Sequence, residues 1–157
     1  MKRVLFICVH NSARSQMAEA YLKMLGGEDF HCLSAGFETA PINPLVVEVM
    51  REQGVDLSQK KPQKVFDLFK AGEVFDYVIT VCDESSSSKC PVFPGMTHRL
   101  HLPFEDPSEL QGTREERLAK VRSIRDHIKS VIEQFIGWAR SSGKKPLGDL
   151  WEIKSLQ

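Results

Sequence analysis

The sequence lacks an excess of either charge: Lys plus Arg and Asp plus Glu both number 21, for a net charge of zero with histidines neutral. A broad nucleic-acid or anionic-membrane surface rewards a basic excess, so neither partner is expected. Long apolar runs are missing too, and no window approaches the ~18 apolar residues of a membrane span. The opening MKRVLFICV sets two basic residues before an apolar run, but the run breaks into HNSARS, and no secretory signal is expected. Cysteine is scarce. Cys8, Cys32, Cys82 and Cys90 are too few for a secreted disulfide scaffold, which makes a reducing, cytoplasmic compartment the expectation. There, cysteines that matter tend to be catalytic or redox-active. Repeats are absent, and the one low-complexity tract is Ser85 to Ser88.

What is present alternates between two periods. Val4 to Ile7 is a continuous apolar run, as in a strand buried on both faces of a parallel sheet. Met17, Ala18, Ala20, Tyr21, Met24 and Leu25 follow at helical spacing and stop at Gly26-Gly27. His31 to Ser34 predicts a second strand, and Pro44 opens a helix carrying Val46, Val47, Val49 and Met50 that Gly54 ends. Val65 to Phe69 predicts a helical piece. Tyr77 to Cys82 is a strand rich in β-branched residues, and Arg99 to Leu102 a further one. Thr113 and Glu116 form a capping box before a long amphipathic helix through Leu118, Val121, Ile124, Ile128, Val131, Ile132 and Phe135. The expected fold is α/β: one domain over residues 1–142, with a central four-stranded parallel sheet and helices on both faces. Residues 143–157 form a tail, either disordered or docked through Leu150, Trp151 and Ile153. Ligands of such sheets sit off the carboxyl ends of the strands. Cys8 and Cys82 each lie at such an end.

The stretch Cys8-x5-Arg14-Ser15 joins the first strand to the first helix. Backbone amides of Val9, His10, Asn11, Ser12 and Ala13, with those of the helix's first turn, converge unpaired ahead of the positive helix dipole. Arg14 adds a planar fork of donors matched to two oxygens of a tetrahedral oxyanion. A cysteine in that field is favoured as thiolate, and Ser15 is placed to donate to it. The string therefore predicts a nucleophile at the bottom of a cup for phosphate, arsenate or sulfate. Asn11 is the residue expected to take positive φ, since the loop has no glycine. Glycines and a lysine are missing, so this is not a nucleotide-binding P-loop.

Cys8-Val-His-Asn-Ser-Ala-Arg14-Ser15-Gln-Met-Ala-Glu19 closely resembles the arsenate reductases that share the low-molecular-weight tyrosine phosphatase fold. The likeness continues through Ser34-Ala-Gly36, Asn43-Pro44, Gly54-Val-Asp56-Leu-Ser58, Val81-Cys82, Cys90-Pro91 and Phe104-Glu-Asp106-Pro107, over about residues 3 to 140. The family often has glycine where His10 stands and a further cysteine where Ala13 stands. Some members have an acidic residue that helps hold a cation where Gln63 stands, so no metal site is expected.

The resemblance implies a chemistry. Cys8 attacks arsenate while Asp106 protonates the leaving oxygen. Cys82 then attacks the Cys8 sulfur, arsenic(V) leaves as arsenite, and Cys90 displaces Cys8 to form a Cys82–Cys90 disulfide. No cofactor is held. Thioredoxin, supplied by NADPH through thioredoxin reductase, is the expected electron donor. If residues 83–89 were helical, Cys82 and Cys90 would lie ~12 Å apart along the axis, whereas a disulfide needs Cα atoms within ~7 Å. The pairing therefore requires this segment to loop out, which its serines make cheap.

Competing readings remain at this level. A tyrosine phosphatase would use Cys8, Arg14 and Asp106 alone, although Ser108 stands where many carry aromatic residues. A phosphocarrier would stop at a phosphorylated Cys8. Zinc on Cys82, Cys90, His98 and His101 would need an unusually wide cysteine spacing. Cys32 is assigned no role, Asp106 has a plain alternative as a turn residue before Pro107, and Glu19 one as a solvated helix position.

Overall fold

A computed structural model describes residues 1–82, 93–95 and 98–141, together with the backbone of 152–155. Among the described residues, nine α-helices and β-strands follow along the chain. They are β1 (Lys2–Cys8), α1 (Arg14–Gly26), β2 (Phe30–Gly36), α2 (Pro44–Arg51), α3 (Val65–Lys70), β3 (Tyr77–Thr80), β4 (His98–His101), α4 (Arg114–Arg140) and β5 (Glu152–Ser155). The sheet order is β2-β1-β3-β4-β5. Its first four strands are parallel, as the alternating periods predict. β1 lies inside the sheet, and Val4 to Ile7 are fully buried, which explains why that stretch has no polar alternation.

The fifth strand was not foreseen. β5 pairs antiparallel with β4, so residues 152–155 of the tail are docked by their backbone. The pairing is nonlocal and the segment is four residues long, too short to carry a periodicity. Leu150 and Trp151 lie outside the described residues. β3 stops at Thr80 rather than Cys82, yet the Val81 amide still donates to the Ile7 carbonyl at 2.8 Å, extending the ladder on the β1 side.

α1, α2 and α4 cover one face of the sheet and share its larger core with Phe6, Tyr77 and Leu100. α3 packs on the other face with Leu5, Ile7 and Val78. The capping box predicted for α4 is present: Thr113 Oγ1 accepts from the Glu116 amide at 3.1 Å. The apolar stripe from Leu118 to Phe135 is buried as its spacing requires. Arg125 interrupts that stripe and is buried with it. Its guanidinium donates to the Val49 carbonyl and to Glu52, both at 2.8 Å, and ties α4 to α2.

The frame therefore presents the carboxyl ends of β1 and β3 side by side. The register pairs Ile7 with Thr80, which sets Cys8 beside Val81 and one residue short of Cys82.

Candidate active site

The loop from β1 to α1 is held from outside by its carbonyls. Cys8, Val9, His10 and Ser12 accept through their carbonyl oxygens from the amides of Phe37, Glu38, Ala40 and Asn43, at 2.9 to 3.2 Å. With the carbonyls drawn toward residues 37–43, the loop's amides are left for the opposite side, where Cys8 sits. No side chain caps the start of α1, so the first-turn amides add to them. Gly36 permits the close approach. A Cβ there would stand 2.7 Å from the Asn11 nitrogen and 2.4 Å from the Glu38 carbonyl oxygen, both backbone atoms that cannot give way.

Asn11 has φ of 53°, the left-handed conformation expected of it. His10 keeps negative φ, so the glycine often found in the family is not required. Its half-exposed ring lies 3.5 Å from Glu38. The Asn11 side chain is fully buried and satisfies all four of its bonding positions. It donates to Ser15 Oγ at 2.8 Å and Ser34 Oγ at 3.0 Å, and accepts from Gln16 Nε2 and the Gln63 amide at 3.0 Å each. Asn11→Ala would strand these groups and force alanine into positive φ. A loss of about 3 to 5 kcal/mol is expected in chemical denaturation. Asn11→Gly should lose less, because only the bonds go. A cost below about 1 kcal/mol for the alanine variant would show that the brace does not hold the loop.

The network has a direction: the Gln63 amide fixes the Asn11 amide group, and Glu19 fixes the Ser34 hydroxyl. The Glu19 carboxylate is buried, so it is no solvated helix position. It accepts from Ser34 Oγ at 2.9 Å and pairs with Lys60 at 2.5 Å and Lys23 at 3.0 Å. An ionised carboxylate only accepts. Ser34 must therefore donate to Glu19 and accept from Asn11, and the Asn11 amide in turn donates to Ser15. The one hydroxyl proton left to Ser15 points at Cys8 Sγ, 2.8 Å away. The Asn11 backbone amide gives the same sulfur a second donor at 3.2 Å. Ser15→Ala removes the hydroxyl donor. Alkylation of Cys8 by iodoacetamide at neutral pH should then slow about fivefold, the worth of one hydrogen bond; an unchanged rate would remove Ser15 from the account.

Arg14 and Asp106 close the cup. Arg14 is buried, its Nη1 donates to the Phe104 carbonyl at 3.4 Å, and its Nη2 lies 3.5 Å from Asp106 Oδ2. Asp106 also holds the turn before Pro107, accepting through Oδ1 from the Ser108 amide and hydroxyl. The turn thus occupies Oδ1, and Oδ2 is the oxygen that faces the Arg14 guanidinium. A cavity of about 550 Å³ opens outward from Cys8, with Asp106 on its wall.

Cys82 is fully buried in the same core cluster as Cys8. Cys90 lies outside the described residues. Cys32 is buried too, and burial, reinforced by the Glu19 charge, pushes its thiol well up, which suits a packing role. His98 and His101, three apart on β4, face opposite sides of the sheet. His98 stacks on Tyr77 with ring centroids 5.3 Å apart, and His101 Nδ1 lies 2.8 Å from Thr80 Oγ1. They do not converge as a zinc pair.

Sequence reasoning missed Glu19 and Lys60, which are 41 residues apart. It also missed Gln63, whose side chain donates to the Ser34 carbonyl at 3.0 Å and whose own carbonyl accepts from Gly36. Only an alignment of contacts across the sheet would reveal them.

Comparison with known proteins agrees with this geometry. The sequence pattern of the low molecular weight phosphotyrosine protein phosphatases matches residues 3–145. An arsenate reductase of Bacillus licheniformis is 38% identical over 135 residues, covering 85% of this chain and 94% of that protein. A solved arsenate reductase in its reduced state superposes with a TM-score of 0.71 at 27% identity, covering 88% of this chain and 99% of the other. A thioredoxin-dependent arsenate reductase of Corynebacterium glutamicum superposes with a TM-score of 0.56 at 34% identity, over 85% of this chain and 62% of that one.

Proposed function

The chain belongs to the low molecular weight phosphotyrosine protein phosphatase family, among its arsenate reductases, and from that premise we propose that it reduces arsenate to arsenite through a three-cysteine relay. One observation carries the choice of reduction over hydrolysis: the buried Cys82 follows the strand that lies directly beside the one ending in Cys8. Ester hydrolysis has no use for a second thiol there.

The steps balance as follows. Arsenate binds in the cup formed by the amides of Val9 to Arg14 and the Arg14 guanidinium. Cys8 Sγ, which faces the Ser15 hydroxyl and the Asn11 amide, attacks arsenic(V) as the thiolate. An oxygen protonated by Asp106 leaves as water. Cys82 as thiolate attacks Cys8 Sγ, the sulfur–arsenic pair of electrons stays on arsenic, and arsenite departs from a Cys8–Cys82 disulfide. Cys90 then attacks Cys82, releasing Cys8 and leaving a Cys82–Cys90 disulfide. An external dithiol, thioredoxin in our reading, reduces that disulfide with electrons from NADPH through thioredoxin reductase. The thioredoxin-dependent relative supports this donor. The chemistry suits a reducing cytoplasm, and no bound cofactor takes part. Phosphate and sulfate compete for the cup.

The test is NADPH oxidation by thioredoxin reductase and thioredoxin, started by adding arsenate. Steady oxidation that requires Cys8, Cys82 and Cys90 supports the reading. Aryl-phosphate hydrolysis without any arsenate-dependent oxidation would instead make the chain a phosphatase acting through Cys8, Arg14 and Asp106.

A further inference from the structure

The cavity above Cys8 is larger than its oxyanion. At about 550 Å³ it falls within the roughly 300 to 1,000 Å³ of pockets that hold small organic ligands. A tetrahedral oxyanion seated on the cup fills only its floor. Pro41, Leu45 and Leu110 add apolar surface to the lining, and Arg117 also lines the space.

Nothing in the fold accounts for Arg117. It lies in the first turn of α4, where the helix dipole disfavours a cation. Neighbouring Arg114 is compensated by Glu48. Arg117 has no ion pair among the described residues, and its Nε is buried without a hydrogen-bond partner. A buried donor left unpaired costs about 1 to 3 kcal/mol. Arg117 thus lines a cavity open to solvent with its charge uncompensated among the described residues.

We propose that Arg117 is a second anion-recognising group, and that the cavity takes organic oxyanion monoesters or their isosteres whose organic part carries a carboxylate. The proposal rests on the reading of the cup as an oxyanion site. The oxyanion sits over Cys8, the organic part lies against Pro41, Leu45 and Leu110, and the carboxylate meets the fork of Arg117. A carboxylate fits better than a second phosphate. Two parallel donors of one guanidinium satisfy it, and Arg117 is one charge where a phosphate dianion would call for more.

Calorimetric titration with phenylphosphonate and with its 3- and 4-carboxy derivatives tests this without turnover, since the phosphorus–carbon bond is not hydrolysed. One of the carboxylated ligands is expected to bind at least about tenfold more tightly than the parent. Arg117→Gln should bring that ligand down to the parent's affinity, and Arg117→Lys should keep part of the gain. Equal affinity of parent and carboxylated ligands for the native protein would overturn the proposal, and so would a loss in Arg117→Gln that is the same for all three. Failure of phenylphosphonate and inorganic phosphate alike to bind would instead refute the oxyanion cup, and with it this inference.

Discussion

Cys8→Ser is expected to abolish arsenate reduction, lowering turnover by at least about 10⁴-fold. The reason lies in the site's construction. Two groups face the sulfur at position 8, the Ser15 hydroxyl at 2.8 Å and the Asn11 amide at 3.2 Å, and neither can take a proton from a serine hydroxyl placed there. A serine hydroxyl stays protonated at neutral pH, and no general base among the described residues stands beside it to take the proton. Oxyanion binding should survive, because the loop amides and Arg14 do not depend on the sulfur. Calorimetry with phosphate, run beside the arsenate-started NADPH assay, separates the two. Turnover within tenfold of the native protein would remove Cys8 as the nucleophile.

The second large effect distinguishes Cys82 from Cys90. Cys82→Ser should stop arsenite formation while leaving Cys8 able to engage arsenate, since nothing remains to attack the Cys8 sulfur. Cys90→Ser should yield little more than one arsenite per protein, because the Cys8–Cys82 disulfide forms once and stays. Both variants should fall by at least about 10³-fold in thioredoxin-driven turnover. Arsenite counted per mole of protein in the first minutes tells them apart. Continued turnover by Cys90→Ser would sink the relay, even if Cys82→Ser were dead. Cys82 is fully buried and its hydroxyl replacement nearly isosteric, so circular dichroism is the control for folding.

Much of this was legible in the chain. The β-branched run at Tyr77, the capping box at Thr113 and the Cys8-to-Ser15 string each carry local signals, and each element formed where its signal lies. The positive φ of Asn11 followed from the lack of glycine in a tight loop. What stayed hidden depends on contacts between distant segments. Glu19 occupies a charged position on an amphipathic helix and looks solvated until β2 and the Lys60 segment enclose it. Gly36 looks like an ordinary strand end until the loop backbone closes on it. β5 has no pattern of its own and is defined by the edge it joins. The polarity of the network, from the Gln63 amide through Asn11 and Ser15 to Cys8, exists only in three dimensions.

Peptide mapping after one equivalent of arsenate is added to the fully reduced protein, without any external dithiol, reads the relay in a single turnover. The relay requires one arsenite per protein, a Cys82–Cys90 disulfide, and Cys8 and Cys32 recovered as free thiols. Arsenate left intact with all four cysteines reduced, or arsenite formed with a disulfide that excludes Cys82, would contradict it.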